Sequence, residues 1–154
     1  VTNWLLRSGN AYGADSAFQK GICAAADLEI HLPWDGYNEG DSAIHSYCYC
    51  PTPSVEMVDI AARNHPAWDN LSEGAKLMML RNVTIILGIN LDEPAKMVVC
   101  WTPKGRVIGG TGHAIRVANE FNIPVFNLAI EDDKKKLCEF VEKETLAFDH
   151  QMID

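Results

Sequence analysis

The sequence predicts an α/β fold with a mostly parallel sheet and helices on both of its faces. Segments with the pattern of buried strands alternate with segments of helical spacing along the 154 residues, an arrangement that produces parallel sheets. The length fits one domain with its own core, and a hydrophobic content of 47% is typical of globular proteins. No linker, repeat or low-complexity tract divides the chain, so we predict one domain over residues 1–154.

The first third of the chain contains two predicted strands, a helix and a long loop. Thr2–Arg7 holds a tryptophan and two leucines and stops at a Ser-Gly-Asn turn, which predicts a buried strand. Small and apolar residues at helical spacing predict a helix over Ala14–Ala26. Leu28–Leu32 is a second short apolar strand. Trp34–Pro53 is rich in glycine, proline and polar residues and predicts a long ordered loop, a kind of segment that often carries function.

The rest of the chain continues the alternation of helices and strands. Proline and glycine stop the two middle helices, Ser54–Asn64 and Ser72–Leu87. Lys96–Trp101 is apolar on both faces, as a central parallel strand is. The last three predicted elements are the helix Thr111–Asn122, the buried strand Ile123–Leu128 and the helix Asp132–Phe148.

Charge and composition limit the classes of partner. Thirteen basic and 21 acidic residues give a net charge of −8. This disfavours a general affinity for nucleic acid, because neutralising phosphates needs clustered lysine and arginine. Backbone amides can still bind one small anion. No apolar run approaches the roughly 20 residues that span a bilayer, and the N-terminal segment lacks the features of a signal peptide. We therefore expect a cytoplasmic protein without a membrane partner.

Two glycine-rich loops, Ser8–Asp15 and Ile108–His113, each open a predicted helix. Ligands of open α/β sheets bind at the carboxyl ends of strands, and glycine permits positive φ and a close approach of the backbone. The free amides of a helix start favour phosphate or carboxylate. Thr111 adds a hydroxyl donor, and we expect Arg116 to reach an anionic oxygen. The alternative is that both loops are tight turns without a ligand.

Several other side chains have two interpretations each. Asp15 either stabilises the start of its helix or bonds to a ribose hydroxyl or to the neighbouring loop. Trp34, Tyr37 and Trp101 either belong to the core or stack on a base, and Trp34 and Tyr37 are the better candidates for stacking. Arg81 and Asn82, in the middle of a helix, are either a solvated pair or part of the pocket.

Histidine and cysteine residues predict no metal site. His113 is either a donor to phosphate or an exposed residue, and Cys100 is predicted to be a buried, inert thiol. His45–Cys50 lacks the second group of ligands that a zinc site needs, so we expect neither a metal nor a cofactor. The five cysteines are odd in number and irregularly spaced, which predicts reduced thiols.

The loops also resemble those of a known superfamily. Ser8–Asp15 resembles the SGGAxGAD loop of the superfamily of the DNA-processing protein A and the lonely guy proteins, and Ile108–His113 resembles its second loop, GGxGT. Other segments are similar to a compact single-domain branch that is often seen in phage genomes, and the match extends from Arg7 to Leu128. These segments are Leu32–Asn38, Leu80–Asn82, Val99–Pro103 and Gly109–Arg116.

The resemblance implies a Rossmann-like fold that binds a nucleotide or a nucleotide-sugar phosphate at the carboxyl edge of its sheet. Some members of the superfamily cleave the N-glycosidic bond of nucleoside 5′-monophosphates, and others bind single-stranded DNA or sense nucleotides without known chemistry. It also implies a homodimer and, for a phage gene, the host cytoplasm. The ligand-binding residues that we expect are Ser8, Gly9, Asn10, Gly13, Asp15, Trp34, Thr102, Gly109, Gly110, Thr111, Gly112 and Arg116.

The chain departs from the hydrolases of this superfamily after the second loop. They carry glutamates there, where a carboxylate stabilises a developing oxocarbenium ion, whereas this chain has His113–Arg116. Glu120 follows roughly two helical turns later, too far to act on a ligand in the loop. Asp15, Asp35 and Glu39 are the carboxylates that could substitute. The expected function is either cleavage or transfer at an N-glycosidic bond, or nucleotide binding by a sensor or interaction module without chemistry; DNA binding is disfavoured by the charge.

Relatives have one more strand, a glycine turn and a helix before the first of these loops. Their extra strand lies in the middle of the sheet, and a strand–helix unit takes about 35 residues. Here the Ser8–Gly9 turn follows Val1 after only one short strand. We therefore predict that Val1 is not the native start. The sheet should then have a gap, or a foreign strand, beside Asn3–Arg7 or Met97–Trp101.

Overall fold

The computed structural model describes residues 4–22, 27–38 and 48–151, and the side chains within these ranges up to residue 147. Here the chain is mixed α/β. Its strands are β1 (Leu6–Ser8), β2 (Leu28–His31), β3 (Cys48–Tyr49), β4 (Val98–Cys100) and β5 (Val125–Asn127). Its α-helices are α1 (Ala14–Gln19), α2 (Val55–Arg63), α3 (Glu73–Leu87), α4 (Gly109–Glu120) and α5 (Glu131–Gln151).

The strand pairings in the described ranges are all parallel, which confirms the predicted direction of the strands. β1, β2 and β3 form one sheet in that order, with Leu6 opposite Leu28. β4 and β5 form a second sheet, with Val98 opposite Val125. β1 and β4 are therefore edge strands, and the part of the chain that the structure describes contains no pairing between them. In the described ranges the strands therefore form two separate sheets.

The strand β3 corrects the prediction of a loop over the whole of Trp34–Pro53. His31 is paired with Tyr49, and the Leu32 amide donates to the Tyr49 carbonyl at 2.7 Å. Two residues are too short to show any period in the sequence, so tertiary pairing alone reveals this strand.

Two helix boundaries also differ from the predicted ones. α1 ends at Gln19, and the predicted continuation over residues 23–26 lies outside the described ranges. α4 begins at Gly109 rather than Thr111, because the Gly112 amide already donates to the Ile108 carbonyl at 2.8 Å. The second glycine loop therefore forms the first turn of a helix.

The centre of the core is α3. It packs against α2, α4, β1 and β2, while α4 also packs against β4 and β5. Apolar side chains of α2, α3 and α4 form the main buried cluster, whereas α1 contributes no buried residue. α3 and α4 together span both sheets and position the loops at the strand ends. None of the helices in the described ranges combines the length and apolar character that crossing a membrane requires.

The starts of β1 and β4 lie close to each other. The Lys96 ammonium, before β4, is 5.6 Å from the centre of the Trp4 ring, before β1. Arg7 in β1 donates through Nη1 to the Glu93 carbonyl at 2.6 Å. These contacts join the two sheets at the amino ends of their strands.

Candidate functional site

Two consecutive residues of α3 hold the two glycine loops. Arg81 donates through Nη1 to the Gly9 carbonyl at 2.6 Å, and Asn82 donates through Nδ2 to the Gly110 carbonyl at 3.0 Å. The two side chains also contact each other, because Arg81 Nη2 donates to Asn82 Oδ1 at 3.3 Å. Both are buried, so the interpretation of them as a solvated pair is wrong. The loops meet at one turn of one helix, at the carboxyl ends of β1 and β4.

Arg81 is a buried cation without a carboxylate partner among the described residues. Its Nε has no hydrogen-bond partner among these residues, and its guanidinium carbon lies 5.8 Å from the centre of the Tyr37 ring. By contrast Arg7, which lies in β1 and is partly buried, contacts two glutamates, Glu29 and Glu93. A buried charge is costly unless it is paired. The position of Arg81 is therefore suited to an anion that comes from outside these residues.

Gly9 makes room for this guanidinium. A Cβ atom on Gly9 would lie 2.5 Å from Arg81 Nη1 and 2.6 Å from its Cζ, which is shorter than any normal contact. The sequence suggested that this glycine lets a ligand approach the backbone. In the structure it lets the arginine side chain approach.

The amides of the first loop are used within the loop. Asp15 Oδ2 accepts from the amides of Gly9 and Ala11, each at 3.1 Å. Asp15, in the first turn of α1, therefore binds the amides of its own loop. Ser8 is buried, and its hydroxyl accepts from Gln19 Nε2 at 2.6 Å. Gly13 has a φ of +100° with open space around it.

Asn10 ties the first loop to the segment after β2. It has a φ of +56°, and its Nδ2 donates to the carbonyls of Tyr37 and Asn38 at 3.3 and 3.4 Å. Asn38, also in the left-handed region at +54°, donates back to the Asn10 carbonyl at 2.9 Å. The reciprocal bonds hold the aromatic segment that contains Trp34 and Tyr37 beside the loop.

The second loop leaves its donors exposed. Gly109, Gly110 and Thr111 form the exposed first turn of α4. No side chain caps this turn, and it contains no acidic residue. Gly109 has a φ of +62°, and a Cβ there would meet nothing within 4 Å. Amides at such a helix start are ready-made donors to an anion.

The opposite side of α4 packs into the fold. A Cβ on Gly112 would lie 2.7 Å from the Val107 carbonyl carbon, so this glycine allows the helix to pass close to the preceding backbone. Arg116 donates through Nε to the Asn64 carbonyl at 2.6 Å, at the end of α2. Glu120 is bonded to Arg63 and Asn64, at the end of α4 remote from the glycine loop.

The prediction that His113 contacts phosphate or solvent is wrong. The residue is fully buried, and its Nε2 lies 3.0 Å from the Ala61 carbonyl of α2. Burial lowers the pKa of His113 to about 4. The error follows from the helix start: because α4 begins at Gly109, position 113 lies on the face that packs against α2.

Thr102 and Asn127 join the carboxyl ends of β4 and β5. Asn127 donates through Nδ2 to Thr102 Oγ1 at 2.6 Å, and its Oδ1 accepts from the Thr102 amide at 3.2 Å. Asp133 in turn accepts from the Asn127 amide at 2.9 Å. Asn127 was not among the predicted site residues, although an asparagine at the end of an apolar strand was a usable signal.

The aromatic residues differ in exposure. Trp34 is 38% exposed and packs edge-on against Tyr37, with ring centres 5.1 Å apart. Trp101, after β4, is 54% exposed, so it is not a core residue. Asp35 is exposed, and Glu39 lies outside the described residues.

The remaining histidine and cysteine residues form no metal site in the described ranges, and His45 lies outside them. Cys100 is buried as predicted, and burial raises the pKa of its thiol to about 11. The candidate site therefore consists of one buried cation, one open helix start and one half-exposed aromatic pair. Comparison with known proteins finds no match to this chain among models of protein families, curated proteins or solved structures.

Proposed function

We propose that the protein binds a nucleotide or a nucleotide-sugar phosphate between its two glycine loops. The observation that carries this proposal is that adjacent residues of α3, Arg81 and Asn82, hold both loops while the buried Arg81 lacks an acidic partner among the described residues. A phosphate at this place would supply the missing negative charge. The exposed amides of Gly109–Thr111 would bind its oxygens.

The aromatic pair supports a base as the second part of the ligand. Trp34 and Tyr37 lie on the segment that Asn10 fastens to the first loop. Stacking on a half-exposed ring suits any nucleobase, because every base has a π face. The ligand class is therefore an anion joined to an aromatic base.

Calorimetric titration with AMP and ADP-ribose tests the proposal. The Arg81→Met variant should bind at least about tenfold more weakly, the typical effect of losing a charge-assisted hydrogen bond. Arg63→Met is the matched control, because this exposed arginine contacts Glu120 at the other end of α4. Equal losses in both variants, or no binding by the native chain, would contradict the proposal. Mass spectrometry of any co-purifying ligand would identify the base and the sugar.

A second candidate function is cleavage or transfer at the N-glycosidic bond. It is favoured by Asp15, which lies in the first loop and uses only Oδ2 for its two loop bonds. A carboxylate near the ribose can stabilise an oxocarbenium ion. The described residues place no carboxylate in the first turn of α4, and this supports the rival function of a sensor without chemistry.

Release of free base distinguishes these candidates. A panel of nucleoside 5′-monophosphates is incubated with the native chain and with Asp15→Asn. Base release that Asp15→Asn abolishes supports the enzyme, whereas binding without release supports the sensor. A salt-sensitive shift of a single-stranded oligonucleotide would instead support DNA binding, which the net charge of −8 disfavours.

We further propose that the two small sheets are parts of one Rossmann-like sheet with a further parallel strand between β1 and β4. Contacts at both ends align these strands: Arg7 with Glu93 at the amino ends, and Arg81–Asn82 with both loops at the carboxyl ends. Right-handed crossovers from β1 to β2 and from β4 to β5 would then place α1 and α4 on opposite faces.

Hydrogen exchange of the backbone amides tests this arrangement. The outer-edge amides of β1 and β4 should be as protected as those of β2, which is paired on both sides. Edge amides that exchange within seconds would contradict the proposal.

A further inference from the structure

His31, the last residue of β2, connects the first sheet to the helix that carries Arg81. Its ring is fully buried and lies 5.6 Å from the ring of Tyr49. Its Nδ1 is 2.9 Å from the hydroxyl of Thr84, which is also fully buried. Thr84 lies one turn after Arg81 on α3 and donates through Oγ1 to the Arg81 carbonyl at 2.9 Å. An unbroken path of polar contacts therefore leads from β2 to Arg81.

The two ring nitrogens of His31 have different neighbours. Nδ1 forms a hydrogen bond with Thr84 Oγ1, and this hydroxyl also lies 2.9 Å from the Arg81 carbonyl. Nε2 faces Glu29 Oε2 at 3.6 Å, and Arg7 holds this carboxylate at 2.9 Å.

Burial keeps the ring of His31 neutral: it is the largest influence on this group and lowers the pKa of His31. Glu29 favours a proton on the ring, while Arg7 and Arg81 oppose it. A neutral ring can hold Thr84 in place without adding a second cation beneath Arg81.

We infer that His31 is a positioning residue for the ligand site: through Thr84 it fixes the turn of α3 that holds Arg81 between the two glycine loops. The inference rests on the proposed function, because the positioned group is the proposed anion-binding arginine. A residue that only fills the core would not need the hydrogen bond to Thr84.

Matched pairs of variants separate positioning from packing. His31→Leu and Thr84→Val remove the contact but keep the volume approximately. His31→Asn and Thr84→Ser keep a donor and a hydroxyl at the same places. The affinity for AMP is measured at a temperature at which unfolding curves show that all four are folded. We expect His31→Leu and Thr84→Val to bind about tenfold more weakly, the double variant to be no worse than either, and the conservative variants to recover most of the loss.

Nuclear magnetic resonance gives a readout that needs no ligand. The Nε–H of Arg81 should exchange slowly with water in the native chain and faster in His31→Leu. If the native chain binds no nucleotide but the exchange rates follow this pattern, the positioning role stands and the proposed function fails. Unchanged exchange and unchanged affinity in folded His31→Leu, or equal losses in the leucine and asparagine variants, would overturn the inference.

Discussion

The two glycine loops look alike in sequence but differ in what their backbone amides do. In the first loop the amides of Gly9 and Ala11 donate to Asp15, and the Gly9 carbonyl accepts from Arg81. In the second loop the first turn of α4 is exposed and uncapped. In the first loop, the amides of Gly9 and Ala11 are therefore occupied by Asp15. In the second loop, the amides of the first turn of α4 are available to a ligand.

The difference shows that glycine content alone does not identify an anion-binding loop. The deciding feature is whether a side chain of the same loop already accepts from the amides. Asp15 does so in the first loop, whereas the second has no acidic residue in its helical turn. Free amides at a helix start, rather than glycines, bind anions.

The largest expected effect is a loss of stability at low pH, caused by the buried His113 of α4, the helix that begins in the second loop. The pKa of His113 is lowered by burial to about 4, against an ordinary value near 6.5. The folded state therefore binds fewer protons than the unfolded state between these values. The contribution of His113 to the free energy of unfolding is therefore fully present above pH 6.5. It is lost as the pH falls, by about 3 kcal/mol down to pH 4. His31 adds a loss of the same sign.

Urea unfolding curves between pH 4 and pH 7 measure this dependence. His113→Gln keeps a donor for the Ala61 carbonyl and should flatten the dependence, while the contribution of His31 remains. A slope that is unchanged in this variant would show that the second loop does not depend on a neutral His113.

The next largest effect is expected when glycines of the second loop are replaced by alanine, and it should differ between Gly112 and Gly110. Gly112→Ala would place a Cβ 2.7 Å from the Val107 carbonyl carbon, whereas a Cβ on Gly110 would meet only Met79 Cε at 3.6 Å. We expect Gly112→Ala to destabilise the fold by about 2 kcal/mol, as overpacking typically does. Gly110→Ala should change the free energy of unfolding by less than about 0.5 kcal/mol. Similar values in denaturant unfolding would contradict the close passage of α4.

A smaller effect is expected from the acceptor of the first loop. Asp15→Ala leaves the amides of Gly9 and Ala11 without their acceptor, and should lower the free energy of unfolding by about 1–2 kcal/mol. Asp15→Asn retains one oxygen and should lose about half as much. If Asp15→Ala were as stable as the native chain but bound AMP more weakly, Asp15 would contact the ligand rather than stabilise the first loop.

The smallest effect concerns which side of the site supplies the aromatic contact. Trp34→Leu should weaken AMP binding about fivefold, since stacking on an aromatic side chain contributes roughly 1 kcal/mol or more per base. Trp101→Leu is the control on the second sheet and should leave the affinity unchanged within error. A larger loss at Trp101 would assign the base to the second loop.

The order of the elements was predictable because its signals are local. Ser54 and Ser72 accept from the amides three residues later and start α2 and α3, and Gly88 ends α3 with a φ of +85°. The apolar run of β4 predicted a central parallel strand with a buried Cys100. The strand is parallel and Cys100 is buried, but among the described strands β4 pairs with β5 alone. The two-residue strand β3 and the early start of α4 were missed because they leave no such signal.

The sequence by itself determined the α/β class, the order of the elements and the two glycine loops, since each depends on residues within a few positions of one another. Only the tertiary structure decided how the loops are used. Arg81 and Gly9 are 72 residues apart in the chain, and His113 meets Ala61 across 52 residues. No local period records such contacts, because they form when α3 and α4 pack across the strand ends. Burial at that junction leaves Arg81 without an acidic partner in the described chain and makes His113 part of the core.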